Sequence, residues 1–353
     1  MSPDYTRTRE QLWNAVLDGD EYAAAASVFA AMDDGVAAED VLLEVIAPVQ
    51  YRVGTEWAAN RITVAQEHAA TAINDRVVAA LAHHPASAPQ TKRGRVTVAC
   101  VDGEWHALPA RLLAEVLRLR GWHVDFLGAQ VPTPHLISHL HQTGPAAVAL
   151  SCSIPTRLPT AHAAITACQA AGVPVLAGGA AFGPDGRYAR LLGADAWGPD
   201  ARAAADCLSR GVTHGRGSAH HLTDELPHLG DGEYTMVSRS APQLVKATVD
   251  EVESRFPAMR YYTDLQRQHT TEDIAHIVDF LATALYVDDD GLFTRFITWT
   301  GEILEARGVS AHSLDPALES LKGQLVEFPR TQRLLNAALI ALGRTATDME
   351  PIA

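Results

Sequence analysis

Arg95-Val96-Thr97-Val98-Ala99-Cys100-Val101 runs straight into Asp102-Gly103-Glu104-Trp105-His106, and this stretch decides the fold. Its first half is a near-continuous apolar run, the pattern of a central parallel strand buried on both faces. Helical periodicity takes over across residues 110–119, with a helix expected to begin near Pro109. Open sheets covered by helices bind ligands outside the carboxyl ends of their strands, so His106 stands where a ligand would be met.

The same pattern repeats downstream. Ser151-Cys152-Ser153 closes an apolar run over residues 146–150, and Gly178-Gly179 closes another over 173–177. The stretches between are amphipathic, so residues 91–212 read as a doubly wound, Rossmann-like α/β domain. Neutral imidazole is a good ligand for borderline transition metals, and a carboxylate two residues away can take its other ring proton and fix its tautomer. Glycine lets backbone approach a bulky ligand closely. Any one of these features alone reads as an exposed loop histidine or an ordinary turn. All three, in order and at strand ends, favour a cofactor site holding a metal.

Upstream, residues 1–90 predict a helical bundle with segments at 5–18, 20–33, 38–53 with a continuation to 60, and 63–81. Asp20, Asp40 and Thr63 serve as cap or first-turn signals, and Gly19, Gly35 and Gly54 as punctuation. An up-and-down four-helix bundle is the economical arrangement. Trp57 lies within it, followed after nine residues by Glu67-His68. By itself such a tryptophan is usually core and such a Glu-His pair a solvated face.

Glu104-Trp105-His106, then Ser151 and Ser153, then Gly178-Gly179 resemble the cobalamin-binding domain of methionine synthase, corrinoid methyltransferase proteins and B12-dependent photoreceptors. The resemblance implies that His106 replaces the nucleotide base as lower axial ligand of cobalt. It also implies that the displaced tail enters a slot lined by Ser151, Ser153, Gly178 and Gly179, with Asp102, Glu104 and Trp105 on the ligand loop. The family pattern is Asp/Glu-x-His-x-x-Gly, and here Pro109 replaces the glycine. The spacing Trp57-x9-Glu67-His68 resembles the cap of B12-dependent photoreceptors. There the tryptophan packs on the adenosyl group, the glutamate contacts adenosine, and the histidine can bind cobalt after light breaks the Co–C bond. The implied cofactor is adenosylcobalamin and the implied activity is light sensing. A corrinoid protein carrying methyl groups between partner methyltransferases is the alternative.

The last third is harder to read. Residues 213–241 are rich in His and Gly and predict a linker. From residue 242 to 353 apolar residues recur at helical spacing, with Thr271 and Asp273 read as preceding one helix and Gly308 as following another. Aromatic and cationic residues gather at Arg260-Tyr261-Tyr262 with His269, and at Phe293, Arg295, Phe296 and Trp299, for which core packing is the ordinary explanation. The order of cap, cobalamin domain and helical domain is similar to photocobilins, which implies a globin-like helical domain holding a bilin such as biliverdin. No cysteine follows Cys207, so a thioether link from this domain is excluded. Non-covalent binding would use Arg260, Tyr261, His269 and Arg295.

Composition narrows the class. The formal charge of −14, without a basic patch, argues against a nucleic-acid surface, and the bundle's early start leaves no expected DNA-binding domain before it. Neither a signal peptide nor a membrane-length apolar run is seen, so a cytoplasmic location is expected. Cys100, Cys152, Cys168 and Cys207 lack metal or redox spacing and read as reduced core thiols. The helical remainder is too short for the barrel of about 250 residues that a self-contained isomerase would need. The expectation is therefore a photoreceptor rather than an enzyme, acting through self-association as a homo-oligomer or through an effector protein, with bundle and sheet domain moving relative to one another.

Overall fold

A computed structural model of the protein describes residues 5–87, 93–213, 226–255 and 261–347. The chain divides into two compact units, Met1–His221 and Leu222–Ala353.

In the first unit the bundle comprises α1 (Thr6–Leu17), α2 (Glu21–Asp33), α3 (Ala38–Asp40), α4 (Ala47–Ala58) and α5 (Val64–Leu81). Asp20 caps α2 by accepting the backbone N–H groups of Tyr22 and Ala23, and Thr63 with Gln66 forms a capping box on α5. Asp40 lies in the only turn of α3 and turns to Arg202 instead of capping. Gly19 and Gly35 do terminate helices, whereas Gly54 sits inside α4.

Between α3 and α4 the chain makes a π-helical turn, Val41–Ile46. Just after it, Pro48 in the first turn of α4 has no N–H to offer the carbonyl of Glu44 four residues earlier. The Arg9 Nε–H on α1 donates to that carbonyl instead. A backbone group orphaned by proline is thereby satisfied from a neighbouring helix.

The sheet comprises β1 (Arg95–Cys100), β2 (His123–Gly128), β3 (Ala147–Ser151), β4 (Val175–Gly178) and β5 (Ala196–Gly198), all parallel in the order β2-β1-β3-β4-β5. The helices that connect them are α6 (Ala107–Leu119), α7 (Thr133–Thr143), α8 (Leu158–Ala170), the short α9 (Arg187–Leu191) and then α10 (Ala201–Arg210). Helix α6 packs with α10 and α7 with α8, giving a doubly wound sheet. The strand order reverses between β1 and β3, which makes their carboxyl ends the topological switch point.

Helix α6 begins at Ala107, two residues before the expected start. Pro109 therefore sits in its first turn, where a missing N–H costs nothing. One continuous apolar core runs from Leu12 on α1 through Val78 on α5 and Val116 on α6 to Ala149 on β3 and Leu208 on α10. Bundle and sheet are thus bound by shared packing. An ion cluster joins them as well. Arg120 pairs with Glu39 at 2.7 Å and with Asp206, while Arg202 pairs with Glu39 at 3.3 Å and Asp40 at 3.1 Å.

The cysteines are free. Cys100, Cys152 and Cys168 are buried, and Cys207 is only partly so. Burial pushes the Cys100 and Cys168 thiols up to about 12, which leaves them unreactive at neutral pH.

The second unit is all-helical: α11 (Glu233–Arg255), α12 (Asp264–Val287), α13 (Asp290–Ala306), α14 (Asp315–Gln324) and α15 (Pro329–Thr347). The expected linker fails over residues 226–241, where a 3-10 turn, Pro227–Asp231, leads into α11. The Asp231 carboxylate accepts the Glu233 N–H, and the buried Glu233 side chain in turn caps α15 by accepting the N–H groups of Arg330 and Thr331. Partners about 100 residues away in sequence thus order a stretch whose local composition reads as loop. Thr271 and Asp273 do not precede a helix but lie within α12, which starts at a capping box of Thr263 and Gln266. Among the described residues no helix is long and apolar enough to cross a membrane.

Candidate cobalamin site

Glu104 organises the mouth of the sheet. It is almost fully buried at 1% exposure, and both its oxygens are used. Oε1 accepts the backbone N–H of His106 at 2.8 Å and faces the His106 ring Nδ1 at 2.7 Å. Oε2 accepts the N–H groups of Ser153 at 2.6 Å and Ile154 at 3.0 Å, just beyond β3. Burial alone would raise the Glu104 pKa. Hydrogen bonds from the His106 ring and from the backbone of His106, Ile154 and Ser153 outweigh it and hold the group at about 2. A fixed carboxylate therefore ties the β1 loop to the β3 loop across the switch point.

His106 is the residue so positioned. Its hydrogen bond to Glu104 raises its pKa above the usual value; burial opposes this, while the charges of Glu104 and Glu67 reinforce it. With Nδ1 donating to the carboxylate, Nε2 is the nitrogen that remains for a metal. Glu67 acts from the bundle, so cap and sheet meet electrostatically at this ring.

Behind the loop lies a cavity of about 110 Å³ lined by Val98, Pro109, Ser151, Gly178, Gly179 and Asp200, among others. Gly179 has φ +102°, and a Cβ there would lie 2.2 Å from the Cys152 carbonyl oxygen, so no larger residue fits. The structure therefore brings Ser151, Gly178 and Gly179 together around one slot. Ser153 contributes its backbone N–H to Glu104. Asp102 and Trp105 are exposed on the loop, Trp105 at 69%.

On the bundle side Trp57 is half-buried against the core. The Glu67 Oε2 faces His68 Nδ1 at 2.8 Å, and the His68 side chain is 76% exposed. Both candidate metal histidines thus have Nδ1 beside a carboxylate. Sequence reading missed Ile154, found only through its N–H, and Asp200 beyond β5. The latter was within reach, because Gly198-Pro199-Asp200 ends a strand as the recognised motifs do.

In the helical unit Arg260 lies outside the described residues. Tyr261 precedes α12 and is 90% exposed, His269 is exposed on the first half of α12, and Arg295 on α13 pairs with Asp289 at 3.7 Å. These residues stand on separate elements. Phe293 is fully buried, Phe296 stacks on Phe280 with centroids 3.7 Å apart, and Trp299 is partly exposed.

Comparison with known proteins accords with this geometry. The B12 binding domain family matches residues 94–206, and a second B12 binding domain family matches residues 8–82. The two matches thus fall on the sheet domain and on the bundle. It is 31% identical over 187 residues to the HTH-type transcriptional repressor CarA of Myxococcus xanthus, covering 50% of this chain and 59% of that protein. To the HTH-type transcriptional repressor CarH of the same organism it is 33% identical over 143 residues, 39% of this chain and 46% of that one. The chain therefore spans about half the length of these relatives. The solved monomethylamine corrinoid protein of Methanosarcina barkeri superposes with a TM-score of 0.50 at 19% identity, over 57% of this chain and 97% of that one, a likeness of fold.

The donor set suits the cofactor. An oriented imidazole, a slot closed to side chains at Gly179 and a helical bundle whose Glu67 charge reaches His106 fit a corrinoid.

Proposed function

We propose that this protein senses light through adenosylcobalamin held between the bundle and the sheet. The observation that carries the reading is the pair of carboxylate-oriented imidazoles, Glu104–His106 on the sheet domain and Glu67–His68 on the bundle. When bound, the cofactor supplies a cobalt–carbon bond that light can break. His106 Nε2 holds the lower side of the metal, with Ser151, Gly178 and Gly179 around the displaced tail. Trp57 and Glu67 would line the adenosyl side of the cofactor, and His68 would supply a second imidazole able to hold the metal. Loss of a packed ligand beside Trp57 then favours a second arrangement of bundle on sheet, a two-state switch of the kind ligands bias. The output is a change in self-association or the engagement of an effector protein in the cytoplasm, with no reaction on a substrate. Similarity to the two repressors supports light sensing, whereas the fold likeness to a corrinoid protein suits a methyl carrier equally well. Trp57 over the upper face favours the sensor, since a carrier must leave that face open to its partner.

Illumination of the holoprotein with green light distinguishes them. The sensor reading expects adenosine release and a spectrum of cobalt bound by two imidazoles, the second lost in His68→Ala. Retention of that spectrum in His68→Ala removes His68 from the scheme.

The helical unit we assign to a non-covalent bilin that tunes the photochemistry, supported by the stacked Phe280–Phe296 pair beside the partly exposed Trp299. Reconstitution with biliverdin should shift the pigment's absorption. A spectrum equal to free biliverdin plus the cobalamin protein would remove the bilin.

A further inference from the structure

Three side chains behind the Glu67–His68 pair form one hydrogen-bonded line. Thr71 Oγ1 donates to Glu67 Oε1 at 3.0 Å, Gln50 Nε2 donates to Thr71 Oγ1 at 2.8 Å, and Asn74 Nδ2 donates to Gln50 Oε1 at 2.8 Å. The direction of every bond is set at one end. An ionised carboxylate only accepts, so the Thr71 hydroxyl must donate to it, must accept from the Gln50 amide, and so turns the Gln50 carbonyl toward Asn74.

The line is built at some expense. Asn74 is completely buried, and its Oδ1 has no hydrogen-bond partner among the described residues. A buried carbonyl left this way is destabilising, and a leucine would fill such a position without that penalty. Thr71 also departs from habit. A threonine within a helix usually returns its hydroxyl to the carbonyl four residues back, whereas this one reaches the side chain of that residue, Glu67. Core packing needs neither feature.

We infer that Gln50, Thr71 and Asn74 are positioning residues that lock the Glu67 carboxylate so that its second oxygen holds His68 Nδ1, presenting Nε2 to the upper face of the cofactor. The inference rests on the proposed role of His68 as upper ligand. It gives the bundle the counterpart of what the Ser153 and Ile154 N–H groups do for Glu104. In both places a carboxylate is fixed on one oxygen and orients an imidazole with the other. Partners at this remove from a metal typically change its affinity by about 10–100-fold when lost.

The test is Thr71→Val, which keeps the shape and removes the hydroxyl, with Thr71→Ser as rescue. In the full-length protein without cofactor, long-range nitrogen–proton NMR correlations report the His68 tautomer. The parent and Thr71→Ser should hold the proton on Nδ1, and Thr71→Val should show a mixture. In the loaded protein the parent and Thr71→Val should release adenosine alike under light, while His68 binds cobalt about 10-fold more slowly or more weakly in the variant. An unchanged His68 tautomer in Thr71→Val overturns the inference whatever the photochemistry. Unchanged coordination in Thr71→Val, where His68→Ala abolishes it, overturns it too. An effect of His68→Ala on nothing removes His68 from the sensor scheme instead, leaving the tautomer measurement to judge the line of hydrogen bonds.

Discussion

The pairing of Glu104 with His106 was legible from their spacing at a strand end, read together with the serine and glycine motifs that close the next strands. The groups that make Glu104 a fixed anion were not. The Ser153 and Ile154 N–H groups come from 49 and 50 residues downstream, and a backbone donor leaves no mark in a sequence. The glycines lie between these cases: Gly178-Gly179 is visible as a pair, but only the 2.2 Å approach to Cys152 shows which one is indispensable. Gly179→Ala should accordingly destabilise the first unit by about 2 kcal/mol through forced backbone strain, measured by urea unfolding, and should cost cobalamin retention as well. Stability and retention equal to the parent would mean that the slot can yield.

Among the elements, the buried strands and the capped helices were readable and the edges were not. β2 is the half-buried edge strand whose apolar run is interrupted by His123 and Asp125, and β5 is three residues long, so neither presents a full apolar run. What secures β2 is electrostatic. Burial alone would raise the Asp125 pKa, yet the Arg95 hydrogen bond and charge, with His139 behind them, hold it below its ordinary 3.8. Both Asp125 oxygens lie within 2.9 Å of Arg95 Nη1, and His139 Nε2 is at 3.1 Å. A depressed carboxylate pKa stabilises the fold above the unfolded value and loses that contribution as pH falls through the folded one. Asp125→Asn should therefore lower stability by about 1 kcal/mol at pH 6, with the gap closing as pH drops below about 4. Parallel denaturation series at several pH values would show it, and a gap that widens in acid would contradict the assignment.

At the scale of the whole molecule, local pattern reading misplaced the start of the helical unit because its order comes from afar. Arg330 is the hub: its guanidinium donates to the His228 and Leu285 carbonyls and to the Asp231 and Asp288 carboxylates, drawing together the turn before α11, the end of α12 and the start of α15. Arg330→Ala should lower that unit's unfolding free energy by about 3 kcal/mol, since it strands two carboxylates and two carbonyls. The two units should melt separately, and only one transition should move, with the cobalamin spectrum unchanged. A shift of both transitions would mean that they do not unfold independently.

The ion cluster between bundle and sheet has a mechanical meaning. Arg120, at one end of α6, is its anchor, and His106 stands at the other end, about 20 Å away along a helix of 13 residues. Pinned to the bundle at one extremity and to the β3 loop through Glu104 at the other, the helix is a strut, so any displacement of bundle on sheet would load one of its two fastenings.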